Sequence, residues 1–200
     1  MLETIKAHAR IGILGGSFDP PHLGHQLLAL SFLALENIEE LLIIPCASHA
    51  QKENVSSFAH RFAMCKLAFR HFKHIGVLDI EEHISAPNYT IKTLRTLKNY
   101  RPDLQLIWGL GSDLVSTFDS WHEAEKLQEL ADFVIFQREN YLVSNFTTLL
   151  KDARVHQGYV LPDTNSTALR NFLRDRKNLH PCPLVDQKVF SYIKNHKLYN

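Results

Sequence analysis

Two hundred residues, 45% hydrophobic and 22% charged with a formal net charge of +1, suit one globular chain able to bury a sizeable core, and exclude broad electrostatic capture of nucleic acid. Three scattered cysteines, Cys46, Cys65 and Cys182, form no Cys-x-x-Cys pair, which excludes a disulfide framework or zinc knuckle and points to a reducing cytoplasm. No apolar run approaches the roughly 18 residues of a membrane helix, and residues 1–6 lack the apolar stretch of a signal peptide, so neither anchor nor leader is expected.

The first strand is predicted at 10–14. It runs into a glycine turn and then a helical stretch at 26–33. A second strand at 41–44 stops at Pro45. A helix over 58–72 places Phe58, Phe62, Cys65 and Phe69 at spacings of four, three and four. A strand at 75–80, a helix at 89–100, a strand at 104–108, a helix at 122–130 and a strand at 133–136 follow. A sixth strand at 158–161 leads to a helix over 166–176, capped by the polar residues before it, and a last helix spans 185–195. Segments 46–57 and 139–153 are the expected mobile loops. Short apolar strands alternating with helices predict an α/β, Rossmann-like, doubly wound and mainly parallel sheet with a small helical C-terminal part, in one domain over 1–200. Ligands of such sheets sit at the carboxyl ends of the strands, and segments 15–25, 109–113 and 165–170 each follow a predicted strand end.

The most informative of these segments reads Gly15-Gly16-Ser17-Phe18-Asp19-Pro20-Pro21-His22-Leu23-Gly24-His25. Paired glycines let a ligand approach the backbone. A helix start offers unpaired N–H groups and partial positive charge, which suit a polyphosphate. His22 and His25, three apart, share a helix face, and Gly24 between them removes a side chain that would block a ligand. Ser17 is a turn residue with a hydroxyl for phosphate, and Asp19 is expected to cap the helix. In the later segment Ser166, Thr167 and Arg170 bring hydroxyls and a guanidinium fork to another helix start. Asp113 follows a Gly-Leu-Gly turn and either caps a helix or faces ligand. Arg138 either caps the sheet or faces nucleotide. Trp121, by its size, reads as core, and His49 and Lys52 as solvated loop residues. No His/Cys/Asp cluster has zinc spacing.

The segment 15–25 resembles the His-x-Gly-His signature of the nucleotidylyltransferase superfamily, and its Gly-x-Phe-Asp-Pro lead resembles the nicotinate mononucleotide adenylyltransferase branch. Pro87-Asn88-Tyr89-Thr90-Ile91-Lys92-Thr93-Leu94, Gly111-Ser112-Asp113-Leu114 with Trp121-His122, Asn165-Ser166-Thr167-Ala168-Leu169-Arg170, and Tyr192-Ile193 with Leu198-Tyr199 are similar to further segments of that branch, in the same order. Two departures stand out: Pro45-Cys46-Ala47-Ser48-His49-Ala50-Gln51-Lys52 replaces the usual Pro-Pro-His-Lys, and Asn165 replaces serine. The resemblance implies adenylyl transfer from ATP to nicotinate mononucleotide, giving nicotinate adenine dinucleotide and pyrophosphate in NAD biosynthesis. It implies a catalytic set of His22, His25 and Arg170. It implies ATP contacts from Gly15, Gly16, Ser17, Phe18, Gly24, Gly109, Asp113, Ser166 and Thr167, and pyridine contacts from Tyr89, Thr90, Trp121 and Lys52. Mg²⁺ would arrive with ATP, without a metal site of the protein's own. The substrates are the expected partners, with a homo-oligomer left open. Nicotinamide mononucleotide or another phosphate as acceptor, and a nucleotide-binding regulator without turnover, are the alternatives.

Overall fold

Along the central strands, neighbouring side chains divide between two cores. Leu42, Ile44, Phe133 and Ile135 face one; Leu41, Ile43, Val134 and Phe136 face the other. Burial on both faces is why these strands read as unbroken apolar runs rather than alternating ones. The computed structural model describes residues 2–48, 55–141, 148–174 and 182–199. Lys52 and His49 lie outside them, as do 49–54 and 142–147 of the two expected mobile loops.

The chain begins at the middle of the sheet. Strand β1 (Arg10–Gly16) leads through α1 (Leu23–Leu35) to β2 (Glu40–Pro45), and through α2 (Phe58–Phe69) to β3 (Ile75–Val77). Helix α3 (Thr90–Tyr100) carries the chain back to β4 (Gln105–Gly111) on the far side of β1. A short α4 (Ala124–Leu127), β5 (Asp132–Arg138), β6 (Arg154–Leu161), α5 (Ser166–Arg174) and α6 (Gln187–Asn195) complete the order. The six strands lie in the order β3-β2-β1-β4-β5-β6, and every ladder is parallel. Helix α1 (Ala29, Phe32), α2 (Met64, Cys65, Ala68, Phe69), α5 (Leu169, Leu173) and α6 (Val189, Ile193) close one core. Helix α3 (Ile91, Leu94, Leu97) and the segment around Phe118 close the other. Each fully buried Leu, Ile or Phe contributes about 1.5–3 kcal/mol, so both faces must be covered for the sheet to hold.

The direction of winding reverses between β1 and β4, and there the sheet opens. β1 pairs with β2 as far as Gly16 opposite Pro45, but with β4 only as far as Ile13 opposite Trp108. Beyond that point Leu14–Gly16 and Gly109–Gly111 diverge, leaving a crevice at the carboxyl ends of the two strands.

Helix α1 extends the expected 26–33 to 23–35 and α2 ends at Phe69 instead of 72; four other elements differ more. The third strand ends at Val77 and gives way to a 3₁₀ turn, Ile80–His83. The helix expected at 122–130 shortens to the four-residue α4, and an unexpected 3₁₀ segment, Ser112–Ser120, precedes it. Here the Thr117 and Ser120 hydroxyls donate to the Leu114 and Thr117 carbonyls at 3.0 and 2.6 Å, competing with an α-helical ladder, and Glu123 at φ 53° breaks the run. β6 starts at Arg154 instead of 158, because its polar first half pairs with β5 at the sheet edge. α6 starts at Gln187, where Asp186 accepts from the Lys188 and Val189 amides at 2.8 and 3.4 Å. Among the described residues no helix is long and apolar enough to cross a membrane.

Candidate active site

β1 ends in a loop that is buried although it carries no regular structure. Phe18, Asp19 and His22 are only 3%, 2% and 5% exposed. A buried loop must have its polar groups paired, and three distant side chains supply the partners. Arg61 of α2 donates to Ser17 O at 2.9 Å, Ser166 Oγ of α5 donates to Pro20 O at 3.0 Å, and Arg170 of α5 donates to Asp19 O at 2.7 Å. Arg170 also donates to Thr167 Oγ1 at 3.0 Å. The second motif is thereby seated on the first. Asp19 does not cap α1. Its Oδ1 accepts from the Tyr199 hydroxyl at 2.7 Å and its Oδ2 from the Ser56 amide at 3.2 Å, while His22 takes the N-cap position in an extended conformation.

The two histidines meet at the start of α1 with ring centroids 3.8 Å apart. The His22 main-chain N–H donates to His25 Nδ1 at 3.2 Å, which puts the proton of neutral His25 on Nε2. Burial, and secondarily the Arg138 charge, push the pKa of His22 down to about 4, so near neutral pH it is an uncharged imidazole. Gly24 is required by packing. A Cβ at this position would overlap Thr164 Oγ1 and lie 3.1 Å from the His22 ring. Gly15 likewise leaves room for the Trp108 ring, 2.5 Å from a built Cβ.

Two residues expected at ATP have structural roles in core packing. Phe18, at φ 50°, buries its ring in the core, 4.7 Å from the His25 ring centroid. Gly109 admits the Phe32 and Leu14 side chains, which would stand 2.5 and 2.7 Å from a built Cβ. Asp113 does lie at the mouth, where its Oδ2 accepts from Arg138 at 2.8 Å while its buried Oδ1 has no hydrogen-bond partner. Arg138 also donates to Thr164 O, and its main-chain N–H donates to Ser112 Oγ at 2.8 Å. One guanidinium therefore ties the end of β4 to the segment entering α5.

A continuous wall leads from this crevice to the second expected subsite. The Cys46 amide donates to Gly16 O at 2.8 Å. Two residues on, the Ser48 amide donates to Asn88 Oδ1 at 2.9 Å and the Asn88 amide returns to Ser48 O at 3.1 Å. Buried Glu81 accepts from the Ala47 amide at 3.1 Å and from Thr93 Oγ1 at 2.6 Å, and its burial raises the carboxyl pKa. Arg61, 3% exposed, spans the base of this wall by donating to Ala47 O at 3.3 Å and Ser56 O at 2.8 Å. Next to Asn88, Tyr89 is the N-cap of α3 and Thr90 its first residue. The Tyr89 ring stacks on His122, centroids 4.3 Å apart and 23° between planes. Trp121 is half-buried, 5.2 Å from the Phe118 ring. It is not a fully buried core tryptophan.

The arrangement therefore gathers Gly15, Gly16, Ser17, His22, Gly24, His25, Asp113, Ser166, Thr167 and Arg170 at one crevice, with Tyr89, Thr90 and Trp121 on the adjoining wall. Sequence reasoning missed Arg61, Tyr199, Glu81 and the ring of His122. Arg61 carried a signal in its pattern, a lone cation on the same α2 face as Met64, Cys65 and Ala68, while Tyr199 and His122 fell inside the family-like segments without an assigned role.

Residues 13–181 match the family model described as cytidylyltransferase-like. The probable nicotinate-nucleotide adenylyltransferase of Methylacidiphilum infernorum is 33% identical over 195 residues, 95% of this chain and 92% of that one. The protein of the same description from Herpetosiphon aurantiacus is 34% identical over 197 residues, 95% and 98% of the two chains. Among solved structures, Plasmodium falciparum nicotinic acid mononucleotide adenylyltransferase complexed with NaAD superposes with a TM-score of 0.80 at 26% identity, covering 96% of this chain and 98% of that chain. The same enzyme complexed with APC gives 0.76.

Proposed function

Since the chain belongs to the cytidylyltransferase-like family, and within it to the nicotinate-nucleotide adenylyltransferases, we propose that it transfers the adenylyl group of ATP to nicotinate mononucleotide, forming nicotinate adenine dinucleotide and pyrophosphate. The observation that carries this reading is the convergence of two helix starts and three side chains, His22, His25 and Arg170, on the turn after β1. Helix N-termini, imidazole donors and a guanidinium suit a bound triphosphate.

An oxygen of the mononucleotide phosphate attacks the α-phosphorus of ATP in line. A new P–O bond forms as the bond from the α-phosphorus to the bridging oxygen breaks, and pyrophosphate leaves with the electron pair. Such transfers need positioning and charge stabilisation rather than a protein nucleophile. His25, its proton on Nε2, and uncharged His22 are the donors for charge developing on the bridging and α-phosphate oxygens. Arg170 with Ser166, Thr167 and the start of α5 takes the β- and γ-phosphates. Gly15, Gly16 and Ser17 line their path, and Gly24 admits Thr164 beside them.

The acidic groups at the crevice fit a metal carried by the triphosphate rather than a resident cation. Asp19 is taken by Tyr199 and Ser56, and Asp113 Oδ2 by Arg138; Asp113 Oδ1, without a hydrogen-bond partner among the described residues, is the acceptor offered to the ion or its waters. Mg²⁺ supplies neutralisation of phosphate charge, with few protein ligands. Tyr89, Trp121 and His122 offer flat faces to the pyridine ring, and the start of α3 at Thr90 favours a carboxylate over an amide. This reading treats 1–200 as one nucleotidylyltransferase domain, and the free cysteines 46, 65 and 182 are in keeping with a cytoplasmic location.

Pyrophosphate release with Mg-ATP, measured in parallel with nicotinate and nicotinamide mononucleotides, tests the proposal. A kcat/KM favouring the acid supports it; preference for the amide moves the acceptor, and release with neither overturns it.

A further inference from the structure

Asp19 sits under the phosphate-binding loop at 2% exposure, and three groups compete for its acceptors. Tyr199, 180 positions away, donates its hydroxyl to Oδ1 at 2.7 Å, and the Ser56 amide donates to Oδ2 at 3.2 Å. The third group is Arg170. Its NH1 stands 3.9 Å from Oδ2, too far for a hydrogen bond, and donates instead to the main-chain oxygen of Asp19 at 2.7 Å. The tyrosine is held for this contact. The chain after α6 turns back through left-handed conformations at Lys197 (φ 51°) and Tyr199 (φ 65°), with the Leu198 amide bonded to Ile193 O at 3.0 Å. Burial and the neighbouring carboxylate raise the Tyr199 pKa, so the hydroxyl stays a donor throughout the physiological range.

We propose that Tyr199 is a positioning residue: by occupying Asp19 Oδ1 it keeps that buried carboxylate from closing on Arg170, and leaves the guanidinium turned toward the triphosphate. A buried carboxylate that loses a donor takes the nearest cation. Contracting the 3.9 Å separation by about 1 Å would make a direct charge-assisted pair. Arg170 would then be neutralised by the protein instead of by substrate. The inference rests on the reading of Arg170 as a phosphate ligand.

The test is calorimetric binding of Mg-ATP in the absence of acceptor, with thermal melting and steady-state kinetics alongside, on the full chain. In Tyr199→Phe, Mg-ATP is expected to bind about tenfold more weakly, the scale of one charge-assisted hydrogen bond to phosphate. The KM for the mononucleotide should stay within about twofold, since the pyridine wall is not involved. Adding Asp19→Asn, which removes the charge that would capture Arg170, should recover most of the lost affinity. Unchanged ATP binding in Tyr199→Phe overturns the proposal. So does a loss that affects both substrates alike and is not recovered by Asp19→Asn, because the tyrosine would then be a packing residue only. If Arg170→Ala binds Mg-ATP like the unaltered protein, the phosphate-ligand reading itself has failed, which is distinguishable from failure of the tyrosine's role.

Discussion

Replacing Gly24 with alanine should push apart the two motifs proposed to hold phosphate, the turn after β1 and the start of α5. Gly24 has no positive φ, so the cost is steric and not conformational. A Cβ there overlaps Thr164 Oγ1 and stands 3.1 Å from the Cε1 and Nδ1 atoms of His22. Thr164 cannot yield freely, because its main-chain oxygen is held by Arg138 and its amide by Pro162 O at 2.9 Å. Displacing it shifts the start of α5, two residues on, where a movement of about 1 Å exceeds the tolerance of the 3.0 Å Ser166–Pro20 hydrogen bond. Overpacking of this kind costs about 1–3 kcal/mol. About 2 kcal/mol withdrawn from the assembled site corresponds to a roughly 30-fold loss in kcat/KM for ATP. Pyrophosphate release and thermal melting measure the two sides of that cost. Thr164→Ala removes the opposing atom, so the double variant should regain most of the loss, with a residue left by the His22 contact. Full activity in Gly24→Ala, or no recovery in the double variant, would refute the reasoning.

Two further outcomes follow from buried polar groups. His22 has a pKa near 4 in the folded protein against 6.5 when exposed, so the unfolded chain binds the extra proton first. Stability is full above pH 6.5 and falls as the pH drops toward 4, by about 3 kcal/mol in all; denaturant titrations across that range should show a shallower fall for His22→Asn, and equal slopes would count against the burial argument. Arg61→Met leaves the Ser17, Ala47 and Ser56 carbonyls without their common donor. It should lower unfolding free energy by about 3 kcal/mol or more, read from the urea midpoint, and a loss below about 1 kcal/mol would mean that water replaces the guanidinium.

How far the site could be read in advance depended on the range of the interactions. The glycine turn, the histidines at a helix start and the Ser166–Arg170 helix start have local patterns, so their places at strand ends followed from the order of apolar runs. Asp19 looked like a cap because Asp before a helix usually is one. What draws it elsewhere is Tyr199, 180 positions away, and no local pattern reports such a contact. The Arg138–Thr164 bond and the stacking of His122 on Tyr89 were out of reach for the same reason. The core packing of the Phe18 ring and of Phe32 and Leu14 against Gly109 was not legible, because a glycine-rich strand end admits core side chains as readily as a ligand. The 3₁₀ segment 112–120 went unread because Ser and Thr hydroxyls compete with the helical ladder in a way that apolar periodicity does not register.

The seating of α5 on the loop after β1 also bears on the order in which a ribosome delivers this protein. β1 emerges early but sits at the sheet's centre, and one of its two neighbours, β4, arrives about 90 residues later. The donors that pair the buried Asp19 and Pro20 carbonyls come later still, from Ser166 and Arg170. A nascent chain halted before α5 thus holds a loop whose Asp19 and Pro20 main-chain oxygens lack these donors, a stretch that must stay open to water. The turn after β1 is completed only in the last stage of synthesis, after nearly all of the sheet is in hand.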